Sequence, residues 1–356
     1  MARPRFIFFE LAFFVVSAVS ALPLWAVEWP PIQDLPQHLA AVRILADYDD
    51  PTLRFAEHFT IELGRTQYLA YYLVARMIAV PFGALVANKL LVTAALVGTP
   101  YAMRLLLRAL GRDERPALFL APLAWNAHLL LGFLNFIVAL PLCLIGLAQA
   151  VELRREWSPL RAAGLAVVAL VAFYTHVVPF AFLFLGAALV GLGGDLLSTW
   201  KRWLPLLPSA AAALVWAERS PAGQATTAAA RIRTEEGAPT PQFLSVAQNL
   251  EQAPSWVTNV LRADTDDWVL VAWAALALAC FALGPLEARR PTSPAELSSR
   301  VRIALLCPLA VALYFVLPAS FDWIWPINAR FALLAPFFLV VALPAPERLG
   351  GAIVFS

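Results

Sequence analysis

The sequence predicts an all-α fold, a polytopic transmembrane helix bundle of about 9–11 spans. Of its 356 residues, 61% are hydrophobic and 14% are charged, whereas soluble proteins have about 45–50% apolar and about 25% charged residues. Apolar runs of membrane-spanning length recur along the chain, and basic side chains concentrate between them. This composition excludes a water-soluble globular enzyme, a disordered chain and a nucleic-acid-binding protein.

Eleven apolar segments are candidate spans, because a helix of about 20 apolar residues crosses the hydrocarbon core and satisfies its own backbone. They are roughly residues 6–27, 67–87, 88–110, 116–131, 133–152, 162–177, 178–198, 203–217, 268–285, 302–318 and 329–345. We treat residues 1–356 as a single transmembrane domain.

Basic residues predict the orientation, because Arg and Lys concentrate in cytoplasmic loops. Arg3 and Arg5 place the N-terminus in the cytoplasm of a bacterial inner membrane, and residues 28–66 and 218–267 then form external loops. Between residue 66 and the basic cluster at Arg104, an odd number of crossings is required, yet two apolar segments lie there. Either segment 67–87 lies in the interface or re-enters, which we favour, or the arginines after 104 are external.

The first apolar run has two interpretations. A basic start and small residues near its end are typical of a secretory signal peptide. The run continues far enough to cross a bilayer, however, and we therefore predict an uncleaved anchor helix.

With this orientation, polar residues gather at the external ends of the helices. They are Asp34 and His38 after the first span, Asn126 and His128, Thr175 and His176, and Asp322, Asn328 and Arg330 before the last span. Ionisable groups at such positions are costly and are therefore functional candidates. The sequence predicts a shared polar site on the external face.

Asp34 has two open interpretations. In Asp34-Leu-Pro-Gln37 it is typical of a helix N-cap, with Gln37 completing a capping box before an interfacial helix over residues 35–48. Alternatively, its carboxylate binds a ligand or acts in catalysis. Asp47 and Asp49 have spacing suited to a metal ion or to acid–base chemistry, and they also fit a solvated helix end.

The other candidates are likewise open. His176 either binds substrate or satisfies backbone groups freed by Pro179, and His128 is either a ligand or a core residue. Arg330 is either a cation at the membrane interface or a phosphate-binding guanidinium. No sequence pattern for nucleotide hydrolysis, dinucleotide binding or zinc proteases occurs in the chain.

Several stretches resemble the GT-C superfamily, the integral-membrane glycosyltransferases that use polyprenyl-phosphate sugars. They are PIQDLPQHLA (31–40), GFLNFIVALPLCLIGLAQAVELRR (132–155), YTHVVPFAFLFLGAALVGL (174–192) and NARFALLAPFF (328–338). The resemblance extends in architecture over most of residues 1–345, and it includes uncharacterised bacterial members.

The resemblance implies an inverting sugar transfer on the external face. Asp34 would be the catalytic base with His38 beside it, and Arg330 would bind the lipid phosphate. His176, His128 and Asp322 are further candidate substrate-binding residues. Members of the superfamily often carry paired acids in the first loop, whereas Asp34 stands alone. Binding of a divalent cation (Mg²⁺ or Mn²⁺) therefore stays open, with Asp47 and Asp49 as candidate ligands.

The function predicted from these observations is transfer of a sugar from a polyprenyl-phosphate carrier to an envelope glycan, lipid or protein. The surrounding membrane lipid is the only other partner expected. Two alternatives are a transporter or flippase of lipid-linked sugars and a non-catalytic membrane assembly subunit. A transporter would place polar groups near the middle of the membrane on broken helices, and an assembly subunit would leave the polar residues scattered.

Overall fold

The computed structural model describes residues 4–63, 66–221, 223–224, 240–261, 264–284 and 291–345. Of the described residues, 74% are helical. In the described residues, β pairing is limited to the isolated bridges Gln242–Ser320 and Phe321–Ile324. The all-α prediction is therefore confirmed.

The described residues form seventeen α-helices, which we number in chain order. They are α1 (Pro4–Val19), α2 (Leu22–Ala26), α3 (Leu35–Ala46), α4 (Phe55–His58), α5 (Leu69–Phe82), α6 (Ala84–Ala109), α7 (Ala127–Leu131), α8 (Leu134–Arg155), α9 (Pro159–Thr175), α10 (Val177–Gly191), α11 (Leu196–Trp203), α12 (Leu207–Arg219), α13 (Val246–Val257), α14 (Thr265–Leu283), α15 (Pro294–Ala304), α16 (Leu306–Val316) and α17 (Ala329–Ala342).

Four helical segments in the described chain are long and apolar enough to cross a membrane. They are α6, α8, α14 and the continuous segment Pro294–Val316, which joins α15 and α16. Shorter apolar helices include α5, α9, α10 and α17. The structure is therefore an α-helical bundle with membrane character, and the total of about 9–11 crossings stays a prediction.

The central helix is α8, which packs against α6, α9 and α10. A helix that is apolar on all sides is typically enclosed by protein. Two glycines permit the contact with α10: a Cβ on Gly146 would lie 2.5 Å from Leu183 Cδ1, and one on Gly186 would lie 2.5 Å from Leu147 Cδ2. Small residues at helix crossings let apolar helices approach closely.

Helices α1 and α6 run antiparallel. Glu10, in the first half of α1, forms an ion pair of 2.7 Å with Arg104 near the end of α6. At the opposite end, Lys89 Nζ donates to the carbonyl oxygen of Val27 at 2.7 Å. The C-terminus of α6 therefore lies at the same end of the bundle as the beginning of α1.

Arginines at that end hydrogen-bond carbonyl oxygens at or beside the C-termini of α6, α10 and α17. The bonds are Arg155 to Ala109 (2.7 Å), Arg300 to Leu110 (2.7 Å), Arg302 to Leu189 (2.9 Å) and Arg112 to Leu343 (3.1 Å). Terminal carbonyls lack helical partners and carry partial negative charge, so cations stabilise them. We call this the arginine end. It collects the basic clusters that the sequence predicted to share the cytoplasmic side.

The predicted span over 116–131 is wrong. The chain instead forms a 3₁₀ helix over Arg115–Leu120, an irregular stretch, and the five-residue helix α7. Pro122, inside the predicted span, lacks the N–H group that a continuous helix needs at this position. Asn126 then begins α7 as an N-cap, accepting from the backbone N–H of Leu129 at 3.1 Å.

The stretch 67–110 divides into α5 and α6 at Gly83. With 14 residues, α5 is about 21 Å long at 1.5 Å per residue, which is less than the hydrocarbon thickness of about 30 Å. It packs against α3 of the first loop as well as α6. This geometry supports the option in which segment 67–87 lies in the interface or re-enters.

The helix predicted over 35–48 is present as α3. Its buried residues are Leu35, His38 and Val42, and it packs against α5 and α6. One face of the first-loop helix therefore contacts the bundle, which brings His38 into the protein interior.

Candidate polar site at the histidine end

The first loop is attached to the turn between α7 and α8. The backbone N–H of Gln33 donates to Leu130 O at 2.7 Å, and that of Asp34 donates to Leu131 O at 3.3 Å. Gly132 in that turn has a φ of +94°, and a Cβ there would lie 2.6 Å from Asp34 Cβ. Only glycine combines this conformation with such close contact. Asp34 thereby lies at the start of α8.

The Asp34 side chain does not cap α3. It makes no capping hydrogen bond, so the capping interpretation, including the box with Gln37, is wrong for this structure. The helix begins with Pro36 in its first turn instead, where proline is favoured. Among the described residues, the half-buried carboxylate of Asp34 has no hydrogen bond or ion pair.

His38 is buried, and both of its ring nitrogens have partners. Nε2 lies 2.8 Å from the carbonyl oxygen of Gly132, so Nε2 donates and Nδ1 is left as an acceptor. The Tyr72 hydroxyl lies 3.0 Å from Nδ1 and donates to it. Burial lowers the pKa of His38 against the opposing effects of the Gly132 bond and the Asp34 charge. The neutral ring therefore holds the first loop against α5 and α8.

His128 and His176 both contact one aromatic residue, Phe136. Its ring centroid is 5.3 Å from each imidazole centroid. His128 Nε2 donates to Ala329 O at 3.2 Å, and His176 Nδ1 accepts from the backbone N–H of Val178 at 3.1 Å, which makes His176 the N-cap of α10. The two histidines thus join α7, α10 and α17 around α8.

Arg330 lies beside both histidines. Its Cζ is 5.2 Å from the ring centroid of Phe133, and its charge acts on Tyr68, His128 and His176. The Nε atom is buried without a hydrogen-bond partner, and no carboxylate in the described chain pairs with the guanidinium. We call the end that contains His38, His128, His176 and Arg330 the histidine end.

A helix covers this end of the bundle. The Trp256 ring of α13 stacks on His128 at 5.8 Å and contacts Trp325. Asn328 Nδ2 donates to Asn249 Oδ1 at 2.9 Å and joins α13 to the start of α17. Aromatic residues of α13 and of the stretch before α17 therefore cover the site.

Two groups of predicted residues do not join this cluster. Asp322 is exposed in a tight turn closed by Phe321 and Ile324, with a φ of +52°, and its side chain has no hydrogen bond or ion pair with the described residues. Asp47 forms an ion pair with Arg43, and Asp49 is exposed. No group of three His, Cys, Asp or Glu side chains that could hold a metal ion occurs in the described chain, so these residues do not fit a divalent cation site.

Sequence reasoning missed Tyr68, Tyr72 and Asn135. Tyr68 contacts His176 with 5.6 Å between ring centroids, the Tyr72 hydroxyl donates to His38, and Asn135 lies near Tyr72. The signal for Asn135 was available, because a polar residue inside the apolar run of α8 is itself a functional candidate. The tyrosines carried no such signal, since aromatic residues are common at membrane interfaces.

An apolar groove leads from this site toward the arginine end. It has a volume of about 330 Å3 and is lined by residues of α5, α6, α8 and α9, including Tyr71 and Thr175 at the histidine end and Ile145 further along. Ile145 also lines a second groove of about 480 Å3, which Arg108 and Arg161 border.

No known protein-family profile matches the chain, and comparison with curated proteins and with solved structures likewise finds no match.

Proposed function

We propose that the protein is a membrane glycosyltransferase that moves a sugar from a polyprenyl-phosphate carrier to an envelope acceptor at the histidine end. The observation that carries this proposal is the half-buried guanidinium of Arg330, which lies near two histidines, has a buried Nε atom without a hydrogen bond, and has no carboxylate partner among the described residues. A buried cation without a counter-ion is unfavourable. A phosphate diester supplies the missing negative charge and hydrogen-bond acceptors.

The groove supports a lipid-linked donor over a soluble one. Its lining is almost entirely apolar, and it reaches the site at Tyr71 and Thr175. Tyr71 is the helical neighbour of Tyr72, which hydrogen-bonds His38, and Thr175 directly precedes His176. A prenyl chain in the groove would place its phosphate at the histidine end, within reach of Arg330.

Asp34 supplies the base in this proposal. Its carboxylate is free of capping bonds and lies against the turn that leads into Phe133, on which Arg330 packs. An acceptor hydroxyl attacks the anomeric carbon and gives its proton to Asp34, while the bond from that carbon to the phosphate oxygen breaks. The polyprenyl phosphate leaves with the electron pair, and Arg330 neutralises its charge.

The location of the polar groups favours this activity over transport. His38, His128 and His176 lie at the ends of helices or in the first loop, at one end of the bundle. A transporter typically holds its substrate near mid-membrane on interrupted helices. We therefore retain the transporter and the assembly subunit only as outcomes of the test.

The test uses purified protein in proteoliposomes with radiolabelled polyprenyl-phosphate sugars and bacterial envelope extract as acceptor. We expect transfer of label together with release of polyprenyl phosphate. Asp34→Asn should lower the rate by a factor of about 10²–10⁴, the contribution of a general base. Asp49→Asn, an exposed acid of the same loop, is the control and should retain full activity.

Arg330→Gln should weaken binding of the polyprenyl phosphate itself. Arg219→Gln, which changes an exposed arginine at the end of α12, is its control. Full transfer by Asp34→Asn would remove the proposed base. Uptake of label into the lumen without transfer would favour the transporter, and neither transfer nor binding would leave the assembly subunit.

A further inference from the structure

Two buried acceptor atoms at the histidine end have no hydrogen-bond donor among the described residues. They are Nδ1 of His128 and Oδ1 of Asn135. Buried polar atoms in folded proteins are nearly always paired, with protein, water or ligand. These two atoms are therefore candidates for contact with a bound molecule.

Oδ1 of Asn135 is an amide oxygen and can only accept a hydrogen bond. Asn135 lies near Tyr72, whose hydroxyl donates to His38 Nδ1. His38 Nε2 in turn donates to the carbonyl oxygen of Gly132.

A single hydrogen bond determines which ring nitrogen of His128 carries the proton. Its Nε2 lies 3.2 Å from the carbonyl oxygen of Ala329 and must donate to it. In the neutral ring, Nδ1 is then an acceptor. Ala329 is the residue before Arg330, so this bond also holds His128 beside the guanidinium.

The two acceptors and Arg330 belong to one cluster at the start of α8. Phe133 packs on Arg330, Asn135 lies two residues further along, and Phe136 contacts His128. The set therefore offers one cationic donor and two neutral acceptors. A phosphate diester presents only hydrogen-bond acceptors, and a prenyl chain presents neither donors nor acceptors. A ligand made of these two groups alone would therefore leave His128 Nδ1 and Asn135 Oδ1 without a hydrogen-bond donor.

We propose that His128 Nδ1 and Asn135 Oδ1 accept hydrogen bonds from hydroxyl groups of a sugar joined to the phosphate that Arg330 binds. This inference rests on the proposed function and deepens it, because it names the residues that recognise the sugar. Hydroxyl groups fit the cluster better than an ammonium headgroup, which would bring a second positive charge next to Arg330.

The experiment compares ligands with and without a sugar on wild-type protein in detergent. The probes are farnesyl phosphate and its phosphodiesters with glucose, mannose, galactose and arabinose, and the readout is the Kd from isothermal titration calorimetry. We expect at least one phosphodiester to bind about tenfold more tightly than farnesyl phosphate, which corresponds to one or two well-formed hydrogen bonds.

Variants test whether His128 and Asn135 cause the tighter binding of the phosphodiester. His128→Phe and Asn135→Leu should each remove most of it while leaving the Kd of farnesyl phosphate within about threefold. Gln149→Leu is the matched control, because Gln149 also has an unpaired buried oxygen but lies at the other groove. It should keep the full preference.

The outcomes separate the two proposals. If farnesyl phosphate binds in an Arg330-dependent manner but no sugar adds affinity, the sugar-recognition inference is overturned and the proposed function stands. If no farnesyl compound binds, both fail. Should a variant not fold, as judged by thermal unfolding, the wild-type comparison and the remaining variant decide the matter.

Discussion

Nε2 of His38 lies 2.8 Å from the carbonyl oxygen of Gly132, although 94 residues separate the two in the chain. This bond joins the first-loop helix α3 to the turn that begins α8. It brings Asp34 to the start of the most deeply buried helix, and it determines the protonation of the His38 ring. Four features of the bundle that depend on such contacts are directly testable.

Gly132→Ala should destabilise the protein by about 1–3 kcal/mol, because a non-glycine residue with positive φ is strained and its Cβ would overlap Asp34. Thermal unfolding in detergent measures the effect. Gly194→Ala is the control, because Gly194 also has a positive φ of +85° but its Cβ would meet only Ser198 at 3.8 Å. Equal losses for the two variants would show that contact with Asp34 contributes nothing.

Arg104→Gln should destabilise the protein by about 3–5 kcal/mol, the cost of removing one partner from a buried ion pair. The Arg104 side chain is only 7% exposed and binds both Glu10 and Glu114. Arg108 binds the same Glu114 but is 60% exposed, so Arg108→Gln should cost only about 0–1 kcal/mol. A similar loss in both variants, by the same unfolding measurement, would contradict the buried network.

Stability should fall on acidification, partly through His38. Its pKa in the folded protein lies below the usual value of 6.5, so the unfolded chain binds the proton more readily. The contribution of His38 to the free energy of unfolding is complete above the pKa that this residue has in the unfolded chain. It is lost as the pH falls through the lower pKa of His38 in the folded protein.

The melting temperature of wild-type protein between pH 8 and pH 4 tests this sign. His38→Gln should show a shallower dependence, whereas His58→Gln, which changes an exposed histidine, should follow the wild-type curve. A steeper curve for His38→Gln would mean that the ring is charged in the folded state.

Gly146→Ala should cost about 1–3 kcal/mol by overpacking the contact between α8 and α10, where its Cβ would lie 2.5 Å from Leu183. Gly98→Ala in α6 is the control. Its Cβ would lie 4.0 Å from Pro141, and we expect a gain of up to about 1 kcal/mol from higher helix propensity. Loss of stability in both variants would indicate a general requirement for glycine.

Part of the architecture was predictable because it depends on local properties of the chain. Runs of apolar residues predicted helices such as α6 and α8, and the pattern after Asp34 predicted α3 to within two residues at its end. Basic clusters predicted which helix ends lie together, and their arginines do gather at one end. The span over 116–131 was wrong because mean apolarity does not register the helix-breaking effect of Pro122.

The site depends on contacts that no local pattern contains. His128 meets the carbonyl of Ala329 across 201 residues, and His38 joins Tyr72 of α5 to Gly132 before α8. The sequence by itself determined that polar residues lie near helix ends, since burying them in lipid is costly. Only the packing of α3, α5 and α17 around α8 decided which of them meet, because their separation depends on how distant apolar surfaces fit together.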